Sequence, residues 1–258
     1  QELLQISMQC IWSPSMCSVT DAVVSNRTAD SGPHTEQMVP LQISRSPSLT
    51  SPQVTSGVAI ACDTMDKVQD SVFLPSLYVL NAASLAKPHA IEQLSAELIG
   101  YGVDVAVVSE THLKKKHADS VVQIPEYSIF RRDRPGRKGG GVAIYTRCSI
   151  AANEWCPVPD LDPLFEMLWV RVVHISGTTF IGALYHPPAP IYQTSDLLNH
   201  IEETVDRIQR CYPQARIILA GDLNTLSDNE VIIRTGLSSI VTQPTRGNSR
   251  LDRVYVSD

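Results

Sequence analysis

The sequence predicts a layered α/β fold, and two observations carry that prediction. From Ser76 to Asp258, short apolar runs typical of buried strands alternate with segments whose apolar residues recur at helical spacing. Some strand-like runs are joined by short polar loops and predict hairpins, whereas others are joined by helices. Hairpins mixed with strand–helix units indicate a layered α/β sandwich, not a simple parallel doubly wound sheet.

The first half of this region predicts four strands and one helix. The helix has four apolar residues at helical spacing and ends in glycine; they are Ile91, Leu94, Leu98 and Ile99. The third and fourth strands flank a basic loop, RRDRPGRKGG, and are expected to form a hairpin. The helix lies in AKPHAIEQLSAELIGYG and the strands in SLYVLN, VDVAVVSE, YSIF and GVAIYTR.

The second half predicts another hairpin, two helices and two further strands. FEMLWVRVVHI and TTFIGALYH alternate around the turn Ser176-Gly177. A long amphipathic helix follows in SDLLNHIEETVDRIQRCYP, with Ser195 as the expected N-cap. Its apolar face consists of Leu198, Ile201, Val205 and Ile208. The remaining elements are a strand in RIILAGDLN, a short helix in SDNEVIIRTGL and a strand in LDRVYV.

Residues 1–75 differ in composition from the rest of the chain. They are rich in Ser, Thr, Pro and Gln and show no sustained hydrophobic period. The stretch PLQISRSPSLTSPQVTSG is typical of a disordered linker. The sequence therefore predicts two parts, a low-complexity disordered segment at 1–75 and a folded domain at 76–258.

Composition excludes several classes of protein. The chain of 258 residues has 43% hydrophobic and 19% charged residues, which is ordinary for a globular protein. Its net charge of -6 gives no global basic signature of nucleic-acid binding. No apolar stretch approaches the about 18 residues of a membrane span, so no membrane partner is predicted. The six scattered cysteines form no zinc motif and favour a reduced, intracellular compartment.

The start of the chain predicts neither a signal peptide nor a native beginning. The segment QELLQISMQCIW has no basic region and no initiator Met. The sequence at this end is therefore expected to be a fragment.

Short polar motifs follow the apolar runs, at the point where each strand is expected to end. Side chains from several strand ends meet at one edge of a sheet in α/β proteins, which is how such proteins build a site. Carboxylates, amides and a phenol suit a hard divalent metal and a phosphate, and they do not suit a thiol, haem or nicotinamide site. These residues are Asn81, Glu110, Tyr185, Asp222, Asn224 and Asp252.

The two strongest motifs have structural alternatives. If Glu110 is buried, its carboxylate needs a cation, a metal or strong hydrogen-bond donors beside it. The sequence is equally consistent with a helix-cap or turn carboxylate beside Thr111 and His112. In the GDLN motif, Gly221 permits a sharp turn that directs Asp222 and Asn224 to the same side. The alternative for this motif is an Asx turn that leads into the next helix.

The other three candidates are weak individually. Asn81 after a strand is most often a turn residue, and Tyr185 before His-Pro-Pro is most often a packed aromatic. Asp252 lies inside a strand-like run, where Asp is disfavoured, so it needs a polar partner. The structural alternative is an ion pair of Asp252 with an arginine of the adjacent strand, or with Arg250 or Arg253.

A cluster of cations lies in the loop of the first hairpin. Such a cluster can bind a phosphate backbone, although charge runs are usually only solvated surface. A second run, Lys114–Lys116, has the same two interpretations. The candidate nucleic-acid-binding residues of the loop are Arg131, Arg132, Arg134, Arg137 and Lys138.

In their order and spacing, seven segments together resemble the endonuclease/exonuclease/phosphatase superfamily, and most of all the endonuclease domain of non-LTR (LINE-type) retrotransposons. The resemblance covers about residues 76–258 and implies a four-layer α/β sandwich of the DNase I type with a metal-dependent phosphodiesterase site at one edge. The segments are LNAASLAKPHAIEQL, DVAVVSETHL, RRDRPGRKGGGVAIYTR, FEMLWVRV, GALYHPP, IILAGDLN and PTRGNSRLDRVYVSD.

The resemblance also implies roles. Glu110 would be the metal ligand, supported by Asn81, and the ion would be Mg²⁺, with Mn²⁺ as an alternative. Asp222 would orient or deprotonate the attacking water, and Asn224 would hold the scissile phosphate. The remaining two roles are a phosphate or leaving-oxygen contact for Tyr185 and the orientation of a catalytic histidine for Asp252.

Two departures from the family pattern shape the expectation. Pro188 stands where many relatives have an asparagine, and the chain stops at Ser257-Asp258 before the family's terminal Ser-Asp-His motif. The domain is therefore expected to be C-terminally truncated, to lack its last strands and to have low or no activity.

The implied function is a Mg²⁺-dependent DNA endonuclease that nicks target DNA for retrotransposition. A reverse transcriptase domain is expected downstream and a nuclear location is expected from the family. The alternatives are a phosphomonoesterase or phospholipid-head-group hydrolase of the same fold and a non-catalytic, nucleic-acid-binding remnant.

Overall fold

A computed structural model describes residues 7–8, 75–156, 162–246 and 249–257. These residues belong to one compact unit, which comprises 1–28 and 72–258; a second unit, 29–71, lies outside the described residues. The predicted linker at 1–75 also lies outside them, except for a two-residue strand at Ser7–Met8 and the residue at 75. Its disorder therefore stays a prediction.

The first sheet contains five strands in the described part of the chain. Its order is β1-β2-β3-β5-β4, in which β2 and β3 run parallel and the other pairs are antiparallel. The predicted hairpin around the basic loop is confirmed as the β4–β5 pair. The strands are β1 (Ser7–Met8), β2 (Leu77–Asn81), β3 (Val105–Ser109), β4 (Tyr127–Arg132) and β5 (Val142–Arg147).

The second sheet contains six strands among the residues that the structure describes. Its order is β10-β11-β9-β8-β7-β6, in which β8 and β9 run parallel and the other pairs are antiparallel. The predicted hairpin around Ser176-Gly177 is confirmed as β7–β8. The strands are β6 (Ala151–Glu154), β7 (Glu166–His174), β8 (Gly177–Tyr185), β9 (Arg216–Asp222), β10 (Ser238–Ser239) and β11 (Asp252–Val256).

Three α-helices and one short 3₁₀ helix complete the described residues. The α-helices are α1 (Ala90–Gly100), α2 (Thr194–Cys211) and α3 (Asp228–Thr235), and the 3₁₀ helix is Asp119–Val121. The predicted N-cap Ser195 is wrong, because Gln193, two residues earlier, occupies the cap and α2 begins at Thr194. The Gln193 carbonyl already accepts hydrogen bonds from the backbone N–H groups of Asp196 and Leu197.

The elements stack in four layers, which confirms the predicted α/β sandwich. Alternate residues of each central strand face opposite layers, as the two-residue period of a strand requires. In β3, Val105 and Val107 pack between the two sheets, whereas Ala106 and Val108 pack towards α1. On the far side, Ile201 and Val205 of α2 pack against Leu219 of the second sheet. The order of layers is therefore helix, sheet, sheet, helix.

Candidate active site

The ends of two parallel strand pairs meet at one edge of the sandwich. Asn81 at the end of β2 lies opposite Ser109 of β3, and Tyr185 at the end of β8 lies opposite Asp222 of β9. The start of β11 places Asp252 on the other side of Asp222. The Ser109 hydroxyl accepts a hydrogen bond from the Asp222 backbone N–H at 3.3 Å, which joins the two sheets at this edge. Residues from five strands are thereby brought together.

The Asn81 side chain bridges two carboxylates that come from different sheets. Its Nδ2 donates to Glu110 Oε1 at 3.0 Å and to Asp222 Oδ2 at 2.6 Å. Its Oδ1 accepts the Ala83 N–H at 3.0 Å, which fixes the orientation of the amide. In this arrangement the nitrogen, not the oxygen, faces the carboxylates, so Asn81 positions Glu110 and Asp222. Its role as a metal ligand stays a prediction.

Glu110 is anchored by two further side chains. Tyr185 donates its hydroxyl proton to Glu110 Oε1 at 3.0 Å, and His112 Nε2 lies 3.4 Å from Oε2. The Glu110 side chain retains 26% exposure. Both Glu110 and His112 have positive φ angles, 51° and 55°, which cost free energy for residues with a Cβ. Such strain is tolerated because the surrounding hydrogen bonds determine the local conformation.

Asp222 and Asn224 form a compact turn after β9. Asp222 is 3% exposed, and burial raises the pKa of its carboxyl, while hydrogen bonds from Asn81 and from the Asn224 N–H act in the opposite direction. The Asn224 N–H donates to Asp222 Oδ1 at 3.1 Å, so the predicted Asx-type turn is present. Asn224 Nδ2 donates to the His186 carbonyl at 2.9 Å. An amide nitrogen carries two hydrogens, and this bond uses one.

The turn depends on a glycine directly before Asp222. Gly221 has a φ of 144°, a conformation that residues with a side chain rarely adopt. A Cβ built on Gly221 would overlap the Leu184 carbonyl of the neighbouring parallel strand. The glycine of the GDLN motif therefore allows β8 and β9 to approach closely where Tyr185 and Asp222 face each other.

Asp252 is buried beside Asp222 and is only partly satisfied. It is 7% exposed, and its backbone N–H donates to Thr245 Oγ1 at 3.1 Å. Among the described residues, no hydrogen-bond partner reaches its buried Oδ1. Burial, and then the charge of Asp222, raise the pKa of Asp252 to about 7. Ionisation of the buried Asp252 carboxyl therefore destabilises the folded state.

The ion pair considered for Asp252 does not form. Arg250 and Arg253 both pair with Asp228 at the start of α3; the Arg253 Nη1–Asp228 Oδ1 distance is 3.4 Å. Arg253 Nη2 also donates to the Asn224 carbonyl at 2.9 Å, which braces the turn after β9. The arginines around Asp252 thus stabilise the backbone of the site and not the Asp252 carboxylate.

The five predicted nucleic-acid-binding residues divide into two groups. Arg131 is paired with Asp119, with Nε and Oδ1 2.9 Å apart, and Arg132 Nε donates to the Phe165 carbonyl at 3.2 Å. Arg134 also points inward and pairs with the Glu166 carboxylate at the start of β7. Arg137 and Lys138 are exposed at the tip of the β4–β5 loop. The geometry therefore favours only these last two as direct phosphate contacts.

The donor set fits a hard divalent cation. Glu110 and Asp222 bring two carboxylates to one edge, and carboxylate oxygens are the ligand type that Mg²⁺ prefers. No group of three or more His, Cys, Asp or Glu side chains within the described ranges is close enough to hold a metal by itself. Mg²⁺ is usually held by one or two carboxylates and keeps several waters. Glu110, the most exposed of these carboxylates, is the residue that would hold it.

Sequence reasoning missed several polar residues at this edge. Ser109 and Thr245 supply hydroxyl acceptors to the backbone at Asp222 and Asp252, which only the strand register reveals. His186 is 1% exposed, and its Nδ1 lies 2.9 Å from the Tyr192 hydroxyl. Burial lowers the pKa of His186, and Arg253 lowers it further. The contact between His112 and Glu110 was also missed, although the short separation of two residues in the sequence could have indicated it.

Comparisons with known proteins identify the family and the fold. The profile of the Endonuclease/Exonuclease/phosphatase family matches residues 72–258. A search of curated proteins gives no match. Within the described residues, no helix is both long and apolar enough to cross a membrane.

Several solved structures share the fold. The endonuclease domain of TRAS1, a telomere-specific non-LTR retrotransposon, is 17% identical over 69% of this chain and 82% of that chain, with a TM-score of 0.50. D. rerio TDP2 complexed with a single-strand DNA product is 18% identical over 70% of this chain and 82% of that chain, also at 0.50. The AP endonuclease LMAP from Leishmania major is 17% identical over 70% of this chain and 78% of that chain, again at 0.50.

Proposed function

The chain belongs to the endonuclease/exonuclease/phosphatase family, and from that premise we propose that it is a Mg²⁺-dependent endonuclease that nicks DNA. The observation that carries the proposal is the Asn81 amide, which binds Glu110 of one sheet and Asp222 of the other. Two carboxylates held at one sheet edge, beside a phenol and a second amide, form an oxygen-rich site for a cation and a phosphate. Enzymes of this family generally hydrolyse phosphodiester bonds.

Asp222 is the residue that orients the attacking water and accepts its proton. Burial raises its pKa, which brings the carboxylate closer to the range in which a general base works at neutral pH. The Asn81 amide and the Asn224 N–H hold both of its oxygens, so the carboxylate is fixed before the substrate arrives. When bound, Mg²⁺ would polarise a phosphoryl oxygen and stabilise its developing charge.

Asn224 and Tyr185 are the donors to the phosphate. The free hydrogen of the Asn224 amide would reach a phosphoryl oxygen, since the other hydrogen is bound to the His186 carbonyl. The pKa of Tyr185 is raised, mainly by burial and also by Glu110, so the phenol keeps its proton at neutral pH. A protonated Tyr185 can transfer its hydrogen bond from Glu110 to a phosphate or leaving oxygen.

A long polyanion is the preferred substrate over a small phosphate ester. Arg137 and Lys138 are exposed on the β4–β5 loop, whose glycine end contacts the segment after Glu110. The shared fold with the TRAS1 domain and the segments that resemble LINE-type enzymes support a retrotransposon role. In that role a reverse transcriptase would lie in the same polyprotein, and the protein would act in the nucleus.

Nicking of supercoiled plasmid tests the proposal. Although the sequence predicts low activity, the purified chain with Mg²⁺ should convert a measurable part of the supercoiled DNA to the open-circular form, EDTA should stop the reaction, and Mn²⁺ should replace Mg²⁺. Glu110→Ala and Asp222→Ala should each abolish nicking, whereas Glu202→Gln on α2 should retain it. Metal-independent nicking, or nicking that survives both alanine substitutions, would refute the assignment of this site. Binding without any nicking would favour the non-catalytic alternative.

A further inference from the structure

A buried ion pair connects the basic loop to the candidate active site. Glu166 begins β7 and is 3% exposed. Its Oε1 accepts from Arg134 Nε at 2.7 Å and lies 2.5 Å from Arg134 Nη2. Its Oε2 accepts the Gly141 backbone N–H at 2.5 Å. Both carboxylate oxygens are therefore committed to the two ends of one loop, residues 133–141, which we call the clamp loop.

The clamp loop lies directly beside a candidate catalytic side chain. Glu166 is the cross-strand neighbour of Tyr185 in the β7–β8 ladder. The ion pair holds the Arg134 guanidinium 5.5 Å from the centre of the Tyr185 ring, within cation–π range. Tyr185 in turn donates to Glu110. A chain of contacts thus runs from the clamp loop through Arg134 and Tyr185 to the predicted metal ligand.

The glycine run of the clamp loop closes a second contact. The Gly140 and Gly141 carbonyls accept hydrogen bonds from the His112 and Thr111 N–H groups at 2.8 and 3.2 Å, directly after Glu110. A Cβ on Gly140 would overlap Glu166 Oε2 and Arg134 Nε. This close approach explains the glycine at 140, and positive φ angles of 75°, 64° and 86° explain the run of three. The loop is held by β7 on one side and by the Glu110 segment on the other.

We propose that Glu166 and Arg134 are positioning residues that fix the clamp loop at the rim of the site, so that Arg137 and Lys138 contact a DNA phosphate. Arg134 is only 13% exposed, its Nε donates to Glu166 and its Nη1 donates to the Lys138 carbonyl, so it does not itself serve as a phosphate contact. This inference deepens the proposed function and rests on it for the nature of the ligand. The fixed loop lowers the entropic cost of binding, because its cations need no ordering.

Hydrogen exchange tests the clamp without any reference to catalysis. Glu166→Gln removes the charge but keeps the shape, and Arg134→Lys keeps the charge but loses the fork. Each should accelerate exchange of the Gly141 amide by about tenfold or more, the size expected for loss of a charge-assisted hydrogen bond. Glu202→Gln, which breaks the surface pair with Arg234, is the matched control and should leave Gly141 unchanged. Unchanged Gly141 exchange in both clamp variants would overturn the proposal.

A thermodynamic cycle tests the link to DNA. Affinity for a 20-base-pair duplex should fall about tenfold on Glu166→Gln in the otherwise natural chain, and its salt dependence should become weaker. In an Arg137→Ala/Lys138→Ala background, Glu166→Gln should change affinity by less than about twofold. An undiminished effect in that background would contradict the positioning role. If the natural chain neither binds nor nicks DNA, the proposed function fails, whereas the exchange result still decides whether the clamp exists.

Discussion

Two carboxylates at the same sheet edge have opposite surroundings. The Glu110 corner (Asn81, Glu110, His112 and Tyr185) surrounds a partly exposed carboxylate with three polar side chains. The Asp252 corner (Asp252 and Thr245) buries a carboxylate whose Oδ1 meets no hydrogen-bond partner among the described residues. The first arrangement leaves a carboxylate that a cation can reach, and the second opposes ionisation of Asp252. The two carboxylates, Glu110 and Asp252, therefore have different roles although they lie at the same edge.

The difference is a consequence of strand position. Glu110 follows a parallel strand and lies in an open loop, so solvent and side chains of both sheets can reach it. Asp252 lies at the start of β11, in register with Asp222, where the neighbouring strand excludes water. The following predictions, from the largest expected effect to the smallest, test whether this division is correct.

The largest effect is expected on nicking by Glu110→Gln. The substitution keeps the shape but removes the charge that would hold the cation, so the rate should fall by about 10³-fold, or about 4 kcal/mol in activation free energy. The measurement is single-turnover nicking of plasmid at saturating protein. A loss smaller than about tenfold would show that the Glu110 corner does not hold the metal.

The next effect concerns the glycine that lies between the two corners. Gly221→Ala should lower the free energy of unfolding by about 3 kcal/mol or more, because its Cβ overlaps the Leu184 carbonyl and its φ is 144°. Gly236→Ala is the matched control: its φ is 69° and its Cβ meets open space, so its cost should be about 1 kcal/mol. Equal midpoints in urea denaturation would contradict the close strand approach.

Asp252→Asn should change the pH dependence of stability. The folded pKa of Asp252, about 7, is above its unfolded value, so the favourable contribution is present below about pH 4 and is lost as pH rises through 7. The variant should therefore gain on the order of a few kcal/mol relative to the natural chain at pH 8, and little at pH 4. Urea denaturation at both pH values measures this. An equal gain in the free energy of unfolding at pH 4 and pH 8 would show that ionisation of Asp252 does not destabilise the fold.

The smallest effect is expected from Tyr185→Phe. Loss of one phenolic donor should slow nicking about fivefold, since a single neutral hydrogen bond is worth about 1 kcal/mol. The pH profile of the rate should keep its shape, because the raised pKa of Tyr185 keeps the phenol protonated throughout the neutral range. A profile that loses a limb near neutrality would assign an acid–base role to this tyrosine.

Much of the fold could be predicted because its core strands have strong local signals. β3 and β9 are continuous apolar runs that end in polar residues, and α2 has a clear apolar face. β6, by contrast, has the sequence AANE and forms only because it pairs with the edge of β7. Its strand structure comes from a long-range partner, which no local pattern reveals.

The candidate site was predictable as a set of residues, but its internal contacts were not. Asn81, Glu110 and Asp222 could be selected because each follows a strand. Nothing in the sequence shows that one amide would hold both carboxylates, since that contact joins residues 141 positions apart. Likewise, Arg134 belonged to an apparently solvent-facing charge run until the structure paired it with Glu166. The burial of Glu166 depends on the pairing of β7 with β8 and on the glycines of the clamp loop, which precede it by about 25 residues.

Cation binding measured by Mn²⁺ paramagnetic resonance tests the division between the two corners most directly. The natural chain should bind Mn²⁺, Glu110→Gln should weaken that binding by about tenfold or more, and Asp252→Asn should change it by less than about threefold. The measurement requires no DNA and no turnover. Loss of binding in Asp252→Asn, together with retained binding in Glu110→Gln, would place the cation at the wrong corner and contradict the account.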